Sequence, residues 1–178
     1  DIVIAQVDLA CLPDVSAPLT LRQLQASGRG CPSIPLIVGL DTAPSPSLGI
    51  SNDHIFLRTF ARKCGTILAE IGEGIATEIA VESYASPGMV VLGSDSHLVT
   101  LGGLSVFATG MGSTDVGIAL RLGKTWFQVP ETIKVVVSGH FGRGVYPKDL
   151  VLHLIGRIGV DGATYKALEY CGEAVESM

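Results

Sequence analysis

The sequence predicts a three-layer α/β/α domain built on a mainly parallel sheet. Three observations predict this fold class. Short apolar runs rich in β-branched residues recur along the chain, helical segments separate them, and turns rich in Gly or Pro lie between the two. Strands that alternate with helices pair in parallel and are covered by helices on both faces. At 178 residues, 47% of them apolar, the chain is long enough for one domain over 1–178.

The first half of the chain supplies three predicted strands and three predicted helices. The strands are alternating or apolar runs at 1–10, 33–41 and 66–71, and the helices cover 19–26, about 53–63 and 75–84. The turn residues Asp14–Pro18 precede the first helix, and Ser86-Pro87-Gly88 stops the third. The segment 42–52, rich in Pro, Ser and Gly, is a predicted loop and the candidate hinge.

The second half continues the alternation of strands and helices. Predicted strands cover 89–92, 126–129 and 132–137, and predicted helices cover 100–108, 114–122 and 147–158. In the last helix Leu150, Val151, Leu154 and Ile155 recur at helical spacing, as one apolar face requires. The alternation therefore extends through most of the chain.

Composition excludes several classes of function. Only 16% of residues are charged and the net charge is −5, so the chain has no basic footprint for nucleic acid or an anionic membrane. The apolar runs are too short for a membrane span, and there is no signal peptide pattern. The expected location is the cytoplasm, with the mitochondrial matrix as the alternative. We interpret Cys11, Cys31, Cys64 and Cys171 as free thiols; a disulfide between distant cysteines stays open but has no sequence signal.

A polar cluster directly follows the apolar run at 89–92. It reads Gly93-Ser94-Asp95-Ser96-His97, with glycine-punctuated segments behind it. Ligands of open α/β sheets bind outside the carboxyl ends of strands, where His can exchange a proton, Asp can orient it and Ser can donate a hydrogen bond. The alternative is that the Asp caps a following helix and the His is an ordinary polar residue.

The ordered motifs of the second half carry a family resemblance. The chain resembles the aconitase superfamily, and within it the large subunits of the 3-isopropylmalate dehydratase and homoaconitase type. The resemblance extends more weakly to Asp1. Its motifs are Gly93–His97, GGLSVFATGMGSTD at 102–115, GKTWFQVPETI at 123–133, GVYPKD at 144–149 and GVDGATYKALEY at 159–170.

The resemblance implies a lyase of amino-acid biosynthesis. Such enzymes dehydrate and rehydrate 2-hydroxy-polycarboxylates with a [4Fe–4S] cluster as the Lewis acid. The family's cluster cysteines lie beyond the point that corresponds to Met178, and the four cysteines here have no cluster spacing. We therefore expect no metal and no cofactor in this chain alone.

Carrying the resemblance over residue by residue gives a mixed site. The family's Asp-Ser-His is intact as Asp95, Ser96 and His97, but its Asp-His reads Asp41-Thr42, and its Gly-x-Gly-Ile-x-His ends at Thr77. Both threonines replace histidines, and a threonine cannot exchange a proton near neutral pH. Each lost general acid or base typically costs roughly a hundredfold to ten-thousandfold in rate.

Three further residues complete the expected site. Glu169 matches the family's acidic residue near the third motif, and Asp14 and Ser16 correspond to a polar loop on the substrate side. The expected catalytic residues are therefore Asp95, Ser96, His97, Asp41 and Glu169, and the expected substrate-binding residues are Asp14, Ser16, Thr42 and Thr77. We interpret His54 as solvated and assign no function to His140 or His153.

Three functions stay open at this point. The chain is the N-terminal portion of a hydro-lyase that acts with a cluster-bearing remainder, a shortened relative that binds a polycarboxylate or a partner protein, or an enzyme with metal-free acid chemistry. In each case Asp41, Thr77, Asp95, Ser96 and His97 are expected in one crevice. The expected partners are a small polycarboxylate and either a second copy of the chain or a complementary subunit or domain; nucleic acid and membrane are not expected.

Overall fold

The structure is a computed structural model that describes residues 1–43 and 47–178. Its contacts group the chain into two compact units, one formed by Val3–Phe127 and one by Asp1–Ile2 with Gln128–Met178. The sequence expectation that 1–178 acts as one domain stays a prediction.

The larger unit contains a five-stranded, wholly parallel sheet. Its strands are β2 (Leu9–Pro13), β3 (Leu36–Gly39), β4 (Ile67–Ala69), β5 (Val90–Gly93) and β6 (Phe107–Gly110), and their order across the sheet is β4-β3-β2-β5-β6. All four pairings between neighbours are parallel. Two further strands, β1 (Ile2–Gln6) and β7 (Lys124–Gln128), form a separate two-stranded sheet.

Helices cover both faces of the parallel sheet. They are α1 (Ala17–Ala26), α2 (Leu48–Cys64), α3 (Ala76–Ser83), a 3-10 helix (Ser96–Leu104) and α4 (Ser113–Leu122). The helices α1, α2 and α4 pack on Ala10 and Leu12 of β2, whereas α3 and the 3-10 helix pack on Leu9 and Cys11. Successive strand residues point to opposite faces, so β2 contributes to both cores. The predicted α/β/α fold class is confirmed.

The smaller unit is built on a parallel pair of strands. These are β8 (Glu131–Val136) and β9 (Lys166–Cys171), joined through α5 (Pro147–Ile158) and followed by the short α6 (Glu173–Glu176). The helix α5 has the predicted bounds, yet none of its residues is buried.

Several local expectations need correction. The predicted strand at 1–10 is two strands, and the predicted helix at 100–108 is the end of the 3-10 helix followed by strand β6. The predicted loop and hinge at 42–52 includes residues 44–46, which lie outside the described residues, and α2 already begins at Leu48. Strand β9 and helix α6 were not predicted from the sequence.

The expectation of four free thiols is wrong. A disulfide joins Cys31, in the segment after α1, to Cys64 at the end of α2, although they are 33 residues apart in sequence. Cys11 and Cys171 are free. No helix within the described ranges is both long enough and apolar enough to cross a membrane.

Candidate functional site

Three adjacent strands of the parallel sheet end at the same edge. Pro13 of β2 pairs with Gly39 of β3, and Cys11 of β2 pairs with Gly93 at the end of β5. The chain passes from β2 to β3 and β4 on one side, and then crosses back to β5 on the other side of β2. This change of direction makes the edge beside β2 and β5 a topological switch point, the usual ligand position of open α/β sheets.

Asp95 and His97 form a contact within the segment that follows β5. The Asp95 Oδ1 atom lies 2.9 Å from the His97 Nδ1 and accepts a second hydrogen bond, also 2.9 Å, from the His97 backbone N–H. The His97 side chain is 87% exposed. Because Nδ1 faces the carboxylate, Nε2 is the ring nitrogen that solvent or a ligand can reach. A carboxylate-oriented imidazole of this kind can hold or transfer a proton.

Local structure explains how this contact forms. Asp95 is the N-cap of the 3-10 helix, so its carboxylate turns back toward the first backbone N–H groups of that helix. The capping interpretation and the site interpretation therefore describe the same side chain. Ser96, the first residue of the helix, is exposed beside the pair.

The pKa of Asp95 lies below its ordinary value. Partial burial acts to raise this pKa, but the hydrogen bonds from the His97 backbone and ring, with a smaller effect of the Thr77 hydroxyl, lower it further than burial raises it. Asp95 is therefore a carboxylate at neutral pH and can orient the imidazole.

The first turn of α3 links Asp95 to Asp41. The backbone N–H of Ala76 donates to Asp41 Oδ2 over 2.6 Å, and the next residue, Thr77, directs its hydroxyl to Asp95 Oδ2 over a long 3.5 Å. Thr42 donates its hydroxyl to the other oxygen of Asp41. A carboxylate at a helix N-terminus is favoured by the helix dipole and by the free N–H groups there. The structure thus brings Asp41, Thr77 and Asp95 together.

The charges of the same region also act on the thiol of Cys11. Burial, together with the nearby charges of Asp41 and Asp95, raises the pKa of the Cys11 thiol to about 12, and the Thr77 hydroxyl opposes this shift. Cys11 is therefore a neutral thiol beneath the two carboxylates. The sequence gives no signal for this role, because Cys11 lies inside an ordinary apolar strand.

Close packing at the strand ends requires glycine. A Cβ atom on Gly39 would lie 2.6 Å from Ala76 Cβ and 2.7 Å from Asp41 Oδ2, and one on Gly93 would overlap the carbonyl oxygen of Cys11. These two glycines allow the segments that carry Asp41 and Asp95 to approach α3 and β2.

Ser16 also reaches this edge. Its hydroxyl is 2.5 Å from that of Ser94, so it bridges the segments that follow β2 and β5. Asp14, by contrast, faces the protein interior: its side chain is 1% exposed and lies 2.9 Å from the His54 Nε2. The interpretation of His54 as solvated is wrong, because the ring is buried on the inner face of α2 with Leu57, Phe60 and Ala61.

Glu169 lies in the smaller unit. It is an exposed residue of β9 whose strand partner is Lys134. A cavity of 330 Å³ lies elsewhere in the larger unit, lined by Arg58, Ala61, Arg62, Thr66, Leu68 and Glu70. It contains none of the predicted site residues, and Arg58 there is engaged by Glu70 through two hydrogen bonds of 2.6 Å.

The donor set of the described chain does not fit an iron–sulfur cluster. Such clusters need several thiolates, whereas Cys31 and Cys64 are bonded to each other and the thiol of Cys11 is buried and protonated. Cys171 belongs to the smaller unit. Within residues 1–43 and 47–178, no three His, Cys, Asp or Glu side chains are grouped as metal ligands would be.

Comparison with known proteins identifies the family. The sequence model of the Aconitase family (aconitate hydratase) matches residues 49–178. The chain belongs to the aconitase family. The match includes α3 and the Asp95–His97 segment, so this part of the site lies within the family region.

Curated relatives agree with this assignment. The chain is 48% identical to the 3-isopropylmalate dehydratase large subunit of Elusimicrobium minutum and 49% identical to large subunit 2 of Archaeoglobus fulgidus, in each case over 100% of the chain and 43% of the relative. It is 39% identical to a probable methanogen homoaconitase large subunit of Methanothermobacter thermautotrophicus, of which it covers 44%. The chain thus spans less than half the length of these aconitase-family relatives.

Proposed function

We propose that the chain supplies the Asp-Ser-His side of the substrate site in a hydro-lyase of the 3-isopropylmalate dehydratase and homoaconitase type. The substrate would be a 2-hydroxy-polycarboxylate that loses and regains water. The observation that supports this proposal most is the Asp95–His97 contact at the switch point, joined to Asp41 through the first turn of α3. The identity to large subunits over the whole chain supports the same reaction class.

Each residue has a role that its geometry permits. His97 holds or moves a proton at Nε2, and Asp95 fixes the ring through Nδ1. Ser96 presents a hydroxyl to the substrate from the exposed helix start. Asp41 and the hydroxyls of Thr42 and Thr77 supply polar groups to the substrate from the start of α3 and the segment after β3.

Two further predicted residues are Ser16 and Glu169. Ser16 contacts the polar end of the substrate from the β2 side. The catalytic role of Glu169 stays a prediction from the family resemblance, on a carboxylate exposed on β9 of the smaller unit. The family resemblance implies that a [4Fe–4S] cluster would supply a Lewis acid for the substrate hydroxyl. The cysteines of this chain do not fit such a cluster.

We further propose that the chain alone does not turn over substrate. Threonine replaces a proton-transferring imidazole at both Thr42 and Thr77, according to the family resemblance. Asp41 and Asp95 also repel a polyanion, whereas the helix N-termini at this edge favour one. The chain would therefore act with a complementary subunit or domain, as the designation "large subunit" of its relatives suggests.

A chimera tests this function. The 178 residues replace the corresponding 43% of the Elusimicrobium minutum large subunit, and the product is assembled with that protein's partner subunit and assayed for isopropylmalate dehydration. We expect weak activity that Thr42→His/Thr77→His raises by at least tenfold and His97→Gln abolishes. A folded chimera on which none of these substitutions has any effect would refute the proposed roles.

A polycarboxylate-binding role without catalysis is the second candidate. The two threonines favour it, because they keep hydrogen-bonding capacity while losing proton exchange. It predicts that the chimera binds 2-isopropylmalate but stays inactive even with both histidines introduced. Measurable dehydration by the unmodified 178-residue chain, abolished in His97→Ala, would instead favour metal-free acid chemistry.

A further inference from the structure

A buried contact between a carboxylate and an imidazole lies beside the turn that follows Asp41. The Asp14 Oδ2 atom, at the end of β2, is 2.9 Å from the His54 Nε2 on α2, and the two side chains are 1% and 7% exposed. The residues are 40 positions apart in sequence. Burial of a carboxylate costs free energy unless hydrogen bonds satisfy its oxygens. The donors that face Asp14 therefore indicate its structural role.

Asp14 uses its carboxylate to hold the turn that follows Asp41. The backbone N–H of Thr42 donates to Asp14 Oδ1 over 3.3 Å, and that of Ala43 donates to both oxygens over 3.2 Å. Within residues 1–43 and 47–178, the carboxylate therefore accepts from His54 on a helix and from two backbone N–H groups of the turn. A substrate would have to displace these donors to contact Asp14.

The turn is connected to the site by one residue. Asp41 immediately precedes the two anchored N–H groups, and its carboxylate accepts from Ala76 at the start of α3. Thr77, the next residue of α3, contacts Asp95. A displacement of the 41–43 turn would therefore move the Asp41 carboxylate relative to α3 and Asp95.

We propose that His54 and Asp14 are positioning residues that fix the 41–43 turn, and through it the Asp41 carboxylate, in the substrate crevice. The importance of this for a substrate rests on the function proposed above, but the mechanical claim does not. His54 acts by donating to Asp14 and so keeping the carboxylate aimed at the turn. This assigns Asp14 an indirect role, in place of the direct substrate contact expected from the sequence.

The alternative hypothesis, that His54 and Asp14 only fill the core, predicts a different result. Loss of their contact would lower the stability of the larger unit without a specific effect at the turn. The substitutions His54→Leu and His54→Gln separate the two cases, because both keep a side chain of similar size but only Gln retains an N–H donor. Asp53→Asn is a matched control on the same helix, since Asp53 forms an exposed ion pair with Arg22, away from the Asp14 carboxylate.

The experiment measures amide hydrogen exchange by NMR on the full chain. We expect His54→Leu and Asp14→Asn to speed exchange at Thr42 and Ala43 by at least tenfold relative to amides in the centre of β3. His54→Gln should restore most of the protection, and Asp53→Asn should match wild type. Unchanged protection at Thr42 and Ala43 in His54→Leu would overturn the proposal, as would equal loss in the Leu and Gln variants.

A titration with 2-isopropylmalate on the same samples connects the turn to the site. We expect the dissociation constant to be at least threefold larger in His54→Leu and to return close to the wild-type value in His54→Gln. If the wild-type chain binds no 2-isopropylmalate, the proposed function fails while the exchange data still decide the positioning role. If binding is unaffected in a variant whose turn is unprotected, the positioning role fails while the proposed function stands. If Asp14→Asn does not fold, the two His54 variants decide alone.

Discussion

Reduction of the Cys31–Cys64 disulfide should destabilise the larger unit by a predictable amount. The bond closes a loop with a sequence separation of 33 residues. The loop-entropy relation gives about 4 kcal/mol of unfolding free energy at 25 °C for a loop of this size. The corresponding fall in melting temperature is on the order of 10 °C. The effect is large because the bond ties the end of α2 to the segment before β3.

The assay follows chemical unfolding of the oxidised chain and of the Cys31→Ser/Cys64→Ser variant. Trp126, the single tryptophan, lies in β7 within the larger unit and reports its unfolding. Cys171→Ser is the matched control, because that free cysteine belongs to the smaller unit and should leave the transition unchanged. Alkylation of the unfolded, unreduced chain should modify two thiols. Four alkylated thiols together with an unchanged transition would refute the disulfide and the loop argument.

Three further predictions concern the site. Gly93→Ala should lower the unfolding free energy by about 1–3 kcal/mol, because its Cβ meets the Cys11 carbonyl; a denaturant midpoint equal to that of wild type would contradict the packing argument. Cys11 should resist iodoacetamide at pH 8 in the folded chain, since its pKa is about 12; peptide mass analysis showing alkylation without unfolding would count against this. His97→Ala should raise the Asp95 pKa, which NMR titration of the carboxyl carbon measures, and an unchanged pKa would contradict the hydrogen-bond assignment. The pKa of Asp95 is lower in the folded chain than in the unfolded chain, where it is about 4. Asp95 therefore stabilises the fold above the unfolded-state pKa, and this stabilisation is lost as pH falls through the folded-state pKa. His97→Ala should make this pH-dependent loss of unfolding free energy smaller.

Much of the fold could be predicted because parallel strands carry a strong local signal. The apolar, β-branched runs at Leu36–Gly39 and Val90–Gly93 become buried central strands, and helices separate them as the alternation predicts. Strand β6 was missed because Phe107–Gly110 is short and contains small residues, so it resembled the end of a helix. Its strand character comes from pairing with β5, which no local pattern shows.

In the site, too, the residues with a local sequence signal were predictable, and those that depend on distant contacts were not. Asp95 and His97 were predictable because they follow a strand in sequence and contact each other two positions apart. The Cys31–Cys64 bond and the burial of His54 were not predictable, because both depend on how α2 packs against distant segments. The predicted helix began at about Asp53, which put His54 in its first turn and suggested a solvated position. Helix α2 begins at Leu48 instead, and His54 lies on its buried face.

Titration of 2-isopropylmalate against the labelled chain, followed by the NMR signals of the His97 ring and the Ala76 and Thr77 amides, tests the central claim most directly. The crevice defined by Asp95, His97 and the first turn of α3 should show saturable shifts with a dissociation constant on the order of 1 mM. Those shifts should vanish in His97→Ala, whose spectrum should otherwise remain that of a folded chain. Saturable shifts confined to residues outside this crevice, or no shifts at all at tenfold higher ligand, would contradict the account.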